Sequence, residues 1–185
     1  MVWINAIIQG VLVGGLYAIF ATGLSLSFGV MRLVNLAHGD LAIFAAFMTL
    51  SISTTLKINP LVALVIVVPA AFVVGYILQR LVFDRVVGVD PAFQIVATFG
   101  LGIVIQNALL EKYTADTQGL NVGALKTSTI KVNDTIGIGW LPLFTFATAV
   151  VVLGSLALFL KRTKLGRAFR ATSDDADAAR LMGIK

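Results

Sequence analysis

An all-α, polytopic membrane protein is what this sequence predicts: a bundle of about five transmembrane helices followed by a short cytosolic helix. Three observations predict it. Hydrophobic residues make up 58% of the 185-residue chain and charged residues 12%, with a mean hydropathy of +0.97. One soluble core of this size cannot hide that much apolar surface. Second, charges only punctuate long apolar runs: residues 1–31, 41–56, 58–79, 91–110 and 135–160 carry none, and a helical span needs about 20 mainly apolar residues. Third, the positive charge gathers past the last run. Residues 161–185 hold seven of the 14 Lys/Arg and three of the nine acidic residues, a net +4 out of +5. Basic residues just past a span hold that end in the cytosol.

The same observations exclude classes. A basic balance placed beside a membrane boundary is topology charge, so the partner is the lipid bilayer and no nucleic acid is expected. The chain has no cysteine, which removes disulfides and thiolate metal sites. Its one histidine, His38, has no carboxylate cluster around it in sequence and no nucleophile to serve. No metal, cofactor or enzymatic activity is therefore expected.

The spans are expected near 4–28, 36–56, 60–80, 91–110 and 139–160. The first run lacks a basic n-region and continues past any cleavage point, so it belongs to the mature chain. With the tail inside, residues 1–160 form the bundle and the polar loop 111–138 is external. Arg32, Arg80 and Arg85 then face the cytosol. Five simple spans put the N-terminus outside, although residues 1–40 leave room for a broken or re-entrant helix that would reverse it. Within the loop, Thr127–Val132 alternates weakly, as a strand or coil would. Gly10, Gly14, Ala18 and Thr22 form a small-residue stripe. Such stripes let helix backbones approach closely in lipid, here most simply within the chain. Gly100 and Gly102 carry the same ambiguity between intrachain packing and a subunit face.

One polar segment stands between two apolar runs: Asn35-Leu36-Ala37-His38-Gly39-Asp40. Ionisable groups at membrane depth are costly and usually face a cavity or a partner. Gly39 permits a turn or a break. The plainer alternative is an interfacial turn in which Asn35 caps, His38 wets the boundary and Asp40 favours a helix N-terminus. Farther along, Gln94 and Thr98 lie at i and i+4 on one helix face, with Gln106 and Asn107 beyond them. Each is more simply an interhelical hydrogen bond than a ligand.

The tail, residues 161–185, divides into a basic anchor and a short helix near 173–183. Thr172 and Ser173 are N-cap types, and Asp174, Asp175 and Asp177 suit the positive end of the helix dipole. Ala178, Leu181 and Met182 fall at i, i+3 and i+4 as a narrow apolar face, and Gly183 suits the end. Three aspartates argue against lying on anionic lipid. A groove on a soluble partner fits better.

The run Val34-Asn35-Leu36-Ala37-His38-Gly39-Asp40 resembles the N-x-A-H-G-[ED] motif of branched-chain amino-acid ABC transporter permeases. Gly15-Leu16-Tyr17-Ala18 with Gly23-Leu24-Ser25-Leu26-Ser27-Phe28-Gly29 resembles that family's opening span, and Ala97-Thr98-Phe99-Gly100-Leu101 its mid-chain span. Thr163-Lys164-Leu165-Gly166-Arg167-Ala168-Phe169-Arg170-Ala171 and Ala178-Ala179-Arg180-Leu181-Met182-Gly183-Ile184 resemble its cytoplasmic loop.

The resemblance implies the membrane subunit of an ATP-driven importer in the plasma (cell inner) membrane. Its partners would be cytosolic ABC ATPase subunits, a second permease subunit in a heterodimer or homodimer, and a periplasmic or extracellular substrate-binding protein. The tail helix would be the coupling helix, with Asp174, Asp175, Ala178, Ala179, Leu181, Met182 and Gly183 at the ATPase. Asn35, His38, Gly39, Asp40, Gln94 and Thr98 are the substrate-pathway candidates. The chain has no G-x-x-x-x-G-K-[ST], as befits a subunit that leaves nucleotide chemistry to others. Cargo within the resemblance ranges over branched-chain amino acids, other amino acids, amides and urea. Family members continue through further spans, so the chain is expected to be C-terminally incomplete. Two classes stay open beside it: a secondary transporter or channel using His38 and Asp40, and a non-transporting permease fragment.

Overall fold

The computed structural model describes residues 2–120, 122–123, 128–133, 136–175, 179 and 181–182. In chain order it forms α1 (Val2–Met31), α2 (His38–Leu56) and α3 (Pro60–Leu78), then a π-helical stretch (Gln79–Phe83) and the short α4 (Asp84–Val86). There follow α5 (Pro91–Tyr113), β1 (Thr129–Asn133), β2 (Ile136–Gly139), α6 (Trp140–Arg162) and α7 (Lys164–Asp174).

Among the described residues, five helices are long and apolar enough to cross a membrane: Trp3–Met31, His38–Leu56, Pro60–Val86, Pro91–Tyr113 and Trp140–Arg162. They match the five expected runs, and the protein is a multi-pass, all-α membrane protein. The broken helix allowed for within residues 1–40 is not at α1, which runs unbroken through its 30 residues. The break comes after it. Arg32 takes a left-handed φ of 50° and its N–H closes on Phe28 O at 2.9 Å, ending α1.

Starts are written in the sequence more plainly than stops. Asn59 and Asp90 each precede a proline at the first helical position. Their side-chain oxygens accept from the N–H of Leu61 at 2.9 Å and Ala92 at 2.8 Å. A capping carboxamide or carboxylate followed by proline satisfies an orphan donor and removes another. Lys57 ends α2 with a left-handed φ of 53°.

The chain divides into two compact units, Met1–Arg32 with Gly123–Lys185, and Leu33–Val122. In the first, α1 packs along α6. The closest approach is at buried Gly15, where an added Cβ would sit 2.8 Å from Phe146 Cδ2 and 3.2 Å from Phe146 Cα. The small-residue stripe expected to pack within the chain does not do so at its glycines. Gly10 and Gly14 are exposed, with open space where a Cβ would go. The stripe was read one residue out of phase with the face that α6 covers.

An antiparallel hairpin precedes α6, pairing Thr129 with Gly139, Ile130 with Ile138 and Lys131 with Gly137. Weak alternation had pointed to β1, whereas glycine-rich β2 carries little strand signal. Gln9, in α1, donates from Nε2 to Gly137 O at 2.9 Å and ties the hairpin to the helix.

The tail departs most from expectation. Thr172 does not cap a helix; it lies inside α7 and donates its hydroxyl to Ala168 O at 3.0 Å. The cap is Thr163, whose Oγ1 accepts from Gly166 N–H at 2.9 Å and lies 2.8 Å from Phe159 O. An elbow results between α6 and α7. Gly166 is buried so close to the Leu160 and Phe159 backbone that a Cβ would overlap Leu160 Cα.

Replacing Gly166 with alanine is expected to lower the thermal unfolding midpoint in detergent by several degrees, because backbone must shift. Gly14→Ala should leave it unchanged or slightly raised, since a helical glycine there fills no tight space. Equal effects of the two would contradict the elbow packing.

Candidate functional site

The second unit is built around a non-helical connector. Leu33–Ala37 links Arg32 to α2, and Leu33, Asn35 and Ala37 are all buried. Backbone outside a helix has no built-in partners, and in a membrane protein each exposed N–H or C=O must find one. Thr98 of α5 supplies them. Its Oγ1 accepts from Leu36 N–H at 3.3 Å and lies 3.2 Å from Val34 O. The same oxygen sits 3.0 Å from Gln94 O and 3.2 Å from Ile95 O, so its single proton has three carbonyls to choose among. Thr98 is fully buried.

Asn35 closes the connector from its own side. Its Oδ1 accepts from Ala37 N–H at 3.1 Å, an Asx-type turn. It does not cap α2 directly; the N-cap position is Ala37, which has no capping side chain. His38 is the first helical residue, half-buried, with its N–H 3.3 Å from Asn35 O. Gly39 is helical too, with open space where a Cβ would go. The break expected at Gly39 is therefore upstream, where Arg32 turns the chain.

Asp40 follows in the first turn of α2. There the helix N-terminus favours its charge. Gln106 Nε2 donates to Asp40 Oδ1 at 2.8 Å. Gly102 makes the room, since a Cβ there would come within 2.5 Å of Asp40 Oδ2.

These contacts run up one ridge of α5. Gln94, Thr98 and Gly102 are its buried residues, and Gln106 continues the i+4 series. Gln94 turns its amide to Val89 O at 3.0 Å, which closes the loop before α5. Asn107 donates to Ile103 O of its own helix at 2.8 Å and joins none of this. Higher up, the Phe47 and Tyr113 rings stack with centroids 4.5 Å apart. Leu36 beside Thr98, Asp40 beside Gly102 and Gln106, and Phe47 beside Tyr113 mean that α2 and α5 run parallel. Of the pathway candidates, Thr98 binds the connector to which Asn35 belongs, Asp40 sits one level above, and Gln94 lies below. The residues that residue-by-residue reading undervalued were Gly102 and Gln106; the i+4 continuation from Gln94 was their signal.

Among the described residues no cluster of His, Asp or Glu could hold a metal ion. In the tail, Asp174 ends α7 and Asp175 is extended, its carbonyl accepting from Ala179 N–H at 3.0 Å. Ala179 is buried, whereas Leu181 and Met182 are 89% and 83% exposed. Ala178 and Gly183 lie outside the described residues.

The described residues thus hold membrane-length apolar helices and, before α2, a buried, hydrogen-bonded connector. The chain belongs to the family described as branched-chain amino acid transport system / permease component, whose model matches residues 6–185. It is 24% identical over 193 residues to the high-affinity branched-chain amino acid transport system permease protein BraD of Pseudomonas aeruginosa. Identity to the corresponding LivH proteins is 22% over 203 residues for Escherichia coli K12 and 21% over 203 for Salmonella typhimurium. Each alignment covers 98% of this chain and 62% of the relative, so the chain spans under two thirds of the length of these relatives. No solved structure matches the chain.

Thr98→Val keeps the shape and removes the hydroxyl. It leaves buried connector groups unpaired, at a cost of roughly 1–3 kcal/mol, whereas Thr98→Ser should stay near wild type. Equilibrium unfolding in mixed micelles measures both; a Val variant as stable as the Ser variant would show that the clamp is dispensable.

Proposed function

We propose that this chain acts as the membrane-spanning permease subunit of an ATP-driven ABC importer in the cell inner membrane. Its cargo would be branched-chain or related amino acids. It carries no chemistry of its own, and cytosolic ATPase subunits supply nucleotide hydrolysis. An external binding protein delivers the substrate. A second permease subunit completes the path, and the open Gly10 and Gly14 positions on α1 offer it a face that admits close backbone approach.

In this arrangement residues 1–160 form the transmembrane bundle, the loop 111–138 is external, and the tail 161–185 lies in the cytosol. The observation that carries the reading is the state of that tail in a chain of this family. Leu181 and Met182 stand almost fully exposed just past the last span, and large apolar side chains left in water mark a docking surface. Lys161, Arg162, Lys164, Arg167 and Arg170 hold the segment on the positive side. Leucine and methionine present an adaptable apolar knob for a groove on the ATPase. Closure of the ATPases would press on this knob, and α7 would pass the movement through the elbow to α6. Asn35, His38, Gly39, Asp40, Gln94 and Thr98 are proposed to border the substrate path, with Asn35, Gln94 and Thr98 chiefly shaping it.

Leu181→Asp combined with Met182→Asp should cut recovery of the cytosolic ATPase in a mild-detergent co-purification at least tenfold, with membrane insertion unchanged. Full recovery of the ATPase by the double variant would reject the coupling role.

A further inference from the structure

Asp40 and Gln106 are more than an interhelical tie. They stand at one end of an open cavity of about 230 Å³; Ile43, Phe47, Leu109 and Leu110 line its length, Ile43 and Leu110 half-exposed, and Thr114 adds a polar group to the wall. The helices run parallel, so the order along the cavity is set: the polar pair at the bottom, Ile43 and Leu109 one turn higher, Phe47 about 10 Å above Asp40. A carboxylate offers about four lone-pair positions, and Gln106 is shown on one oxygen. Gly102 leaves the other oxygen a niche that any side chain would fill.

A carboxylate in a membrane-spanning helix is costly, and it normally faces a cavity or a compensating charge. The compensation here is partial: one neutral amide and the start of α2. No Lys or Arg lies among the cavity-lining residues. The site is acidic at one end, apolar along most of its length, with the Thr114 hydroxyl as its other polar group, and short.

We infer that the Asp40–Gln106 pair and the cavity above it bind an aliphatic primary ammonium group. The ammonium sits on the Asp40 carboxylate, and a short branched hydrocarbon body lies against Ile43, Phe47, Leu109 and Leu110. This chemistry is the amino end and side chain of an apolar amino acid. As a substrate contact the inference rests on the transport function proposed above; as a binding site it can be tested without it. The volume is small beside drug-sized pockets, which favours compact ligands over long ones. Gln106 is the positioning residue, holding the carboxylate toward the cavity.

The test uses the full chain in phospholipid nanodiscs and radiolabelled 3-methylbutylamine, read by scintillation proximity above empty discs. Wild type is expected to bind saturably. Asp40→Asn keeps an acceptor for Gln106 and removes only the charge, so a merely structural tie would survive it; binding is expected to weaken at least tenfold. Leu109→Trp leaves Asp40 in place and fills the cavity, and should lose binding as well. No wild-type binding, or equal affinity in wild type and Asp40→Asn, overturns the site. So does undiminished binding by Leu109→Trp. Leucine uptake by the complete importer separates the two readings. Uptake without amine binding rejects the site and keeps the transport function; amine binding without amino-acid uptake keeps the site and rejects that function.

Discussion

The hydroxyl of Thr98 carries the structural burden of the second unit. A chain that leaves one helix and enters the next within an apolar protein has to place several backbone donors and acceptors without help from water. The connector does so chiefly on Thr98, with Leu36 N–H and Val34 O both against its Oγ1, and on Asn35, whose Oδ1 accepts from Ala37 N–H. Thr98 is seven residues into α5, about 10 Å along the helix axis. The clamp therefore decides the level at which α2 begins. A connector held at the end of α5 would bring Asp40 beside a different turn, away from both Gly102 and Gln106.

That level matters because of charge. Asp40 enters α2 where the unpaired N–H groups of the first turn favour an anion. The parallel course of α5 then brings an amide donor and a missing side chain to the same height. Each contribution is modest alone. Together they let a carboxylate occupy a membrane-spanning helix without a basic partner among the cavity-lining residues. The i+4 ridge of α5 is thus a ladder of separate duties: Gln94 closes the preceding loop, Thr98 holds the connector, Gly102 yields space and Gln106 orients the acid.

The spans were legible because hydropathy needs only composition, and their starts were legible where Asn59-Pro60 and Asp90-Pro91 combine a cap with a fixed φ. The polar segment was legible as an anomaly, and Asn35, His38, Gly39 and Asp40 were singled out in it. Its geometry was not, because the Leu36 and Val34 backbone groups that Thr98 binds lie 62 and 64 positions from it and nothing local announces that pairing. Gly39 permits a break yet is helical; the left-handed turn is at Arg32, a residue with no such preference, whose N–H closes on Phe28 O. Gly102 shows the converse. Its lack of a side chain was visible, but only the neighbouring helix reveals that the space belongs to Asp40. In the tail, Thr172 and Ser173 satisfied the local pattern of a cap, yet Thr163 won. Thr163 also has Phe159 O within reach and a glycine three residues on, and Thr172 instead bonds back along its own helix.

The elbow at Thr163 and Gly166 bears on how force would travel. A flexible link between α6 and a docking tail would absorb movement before it reached the membrane. Here Thr163 binds the last turn of α6 and the first of α7 at once, and Gly166 brings the two backbones into contact with no side chain between them. Interiors packed this closely transmit displacement rather than damp it. The first extended residue after the elbow is Asp175, the cap of α7. Its carbonyl accepts from Ala179 N–H. The close join of α6 to α7 at the elbow is what the proposed coupling would need to carry a push from the cytosol into the membrane.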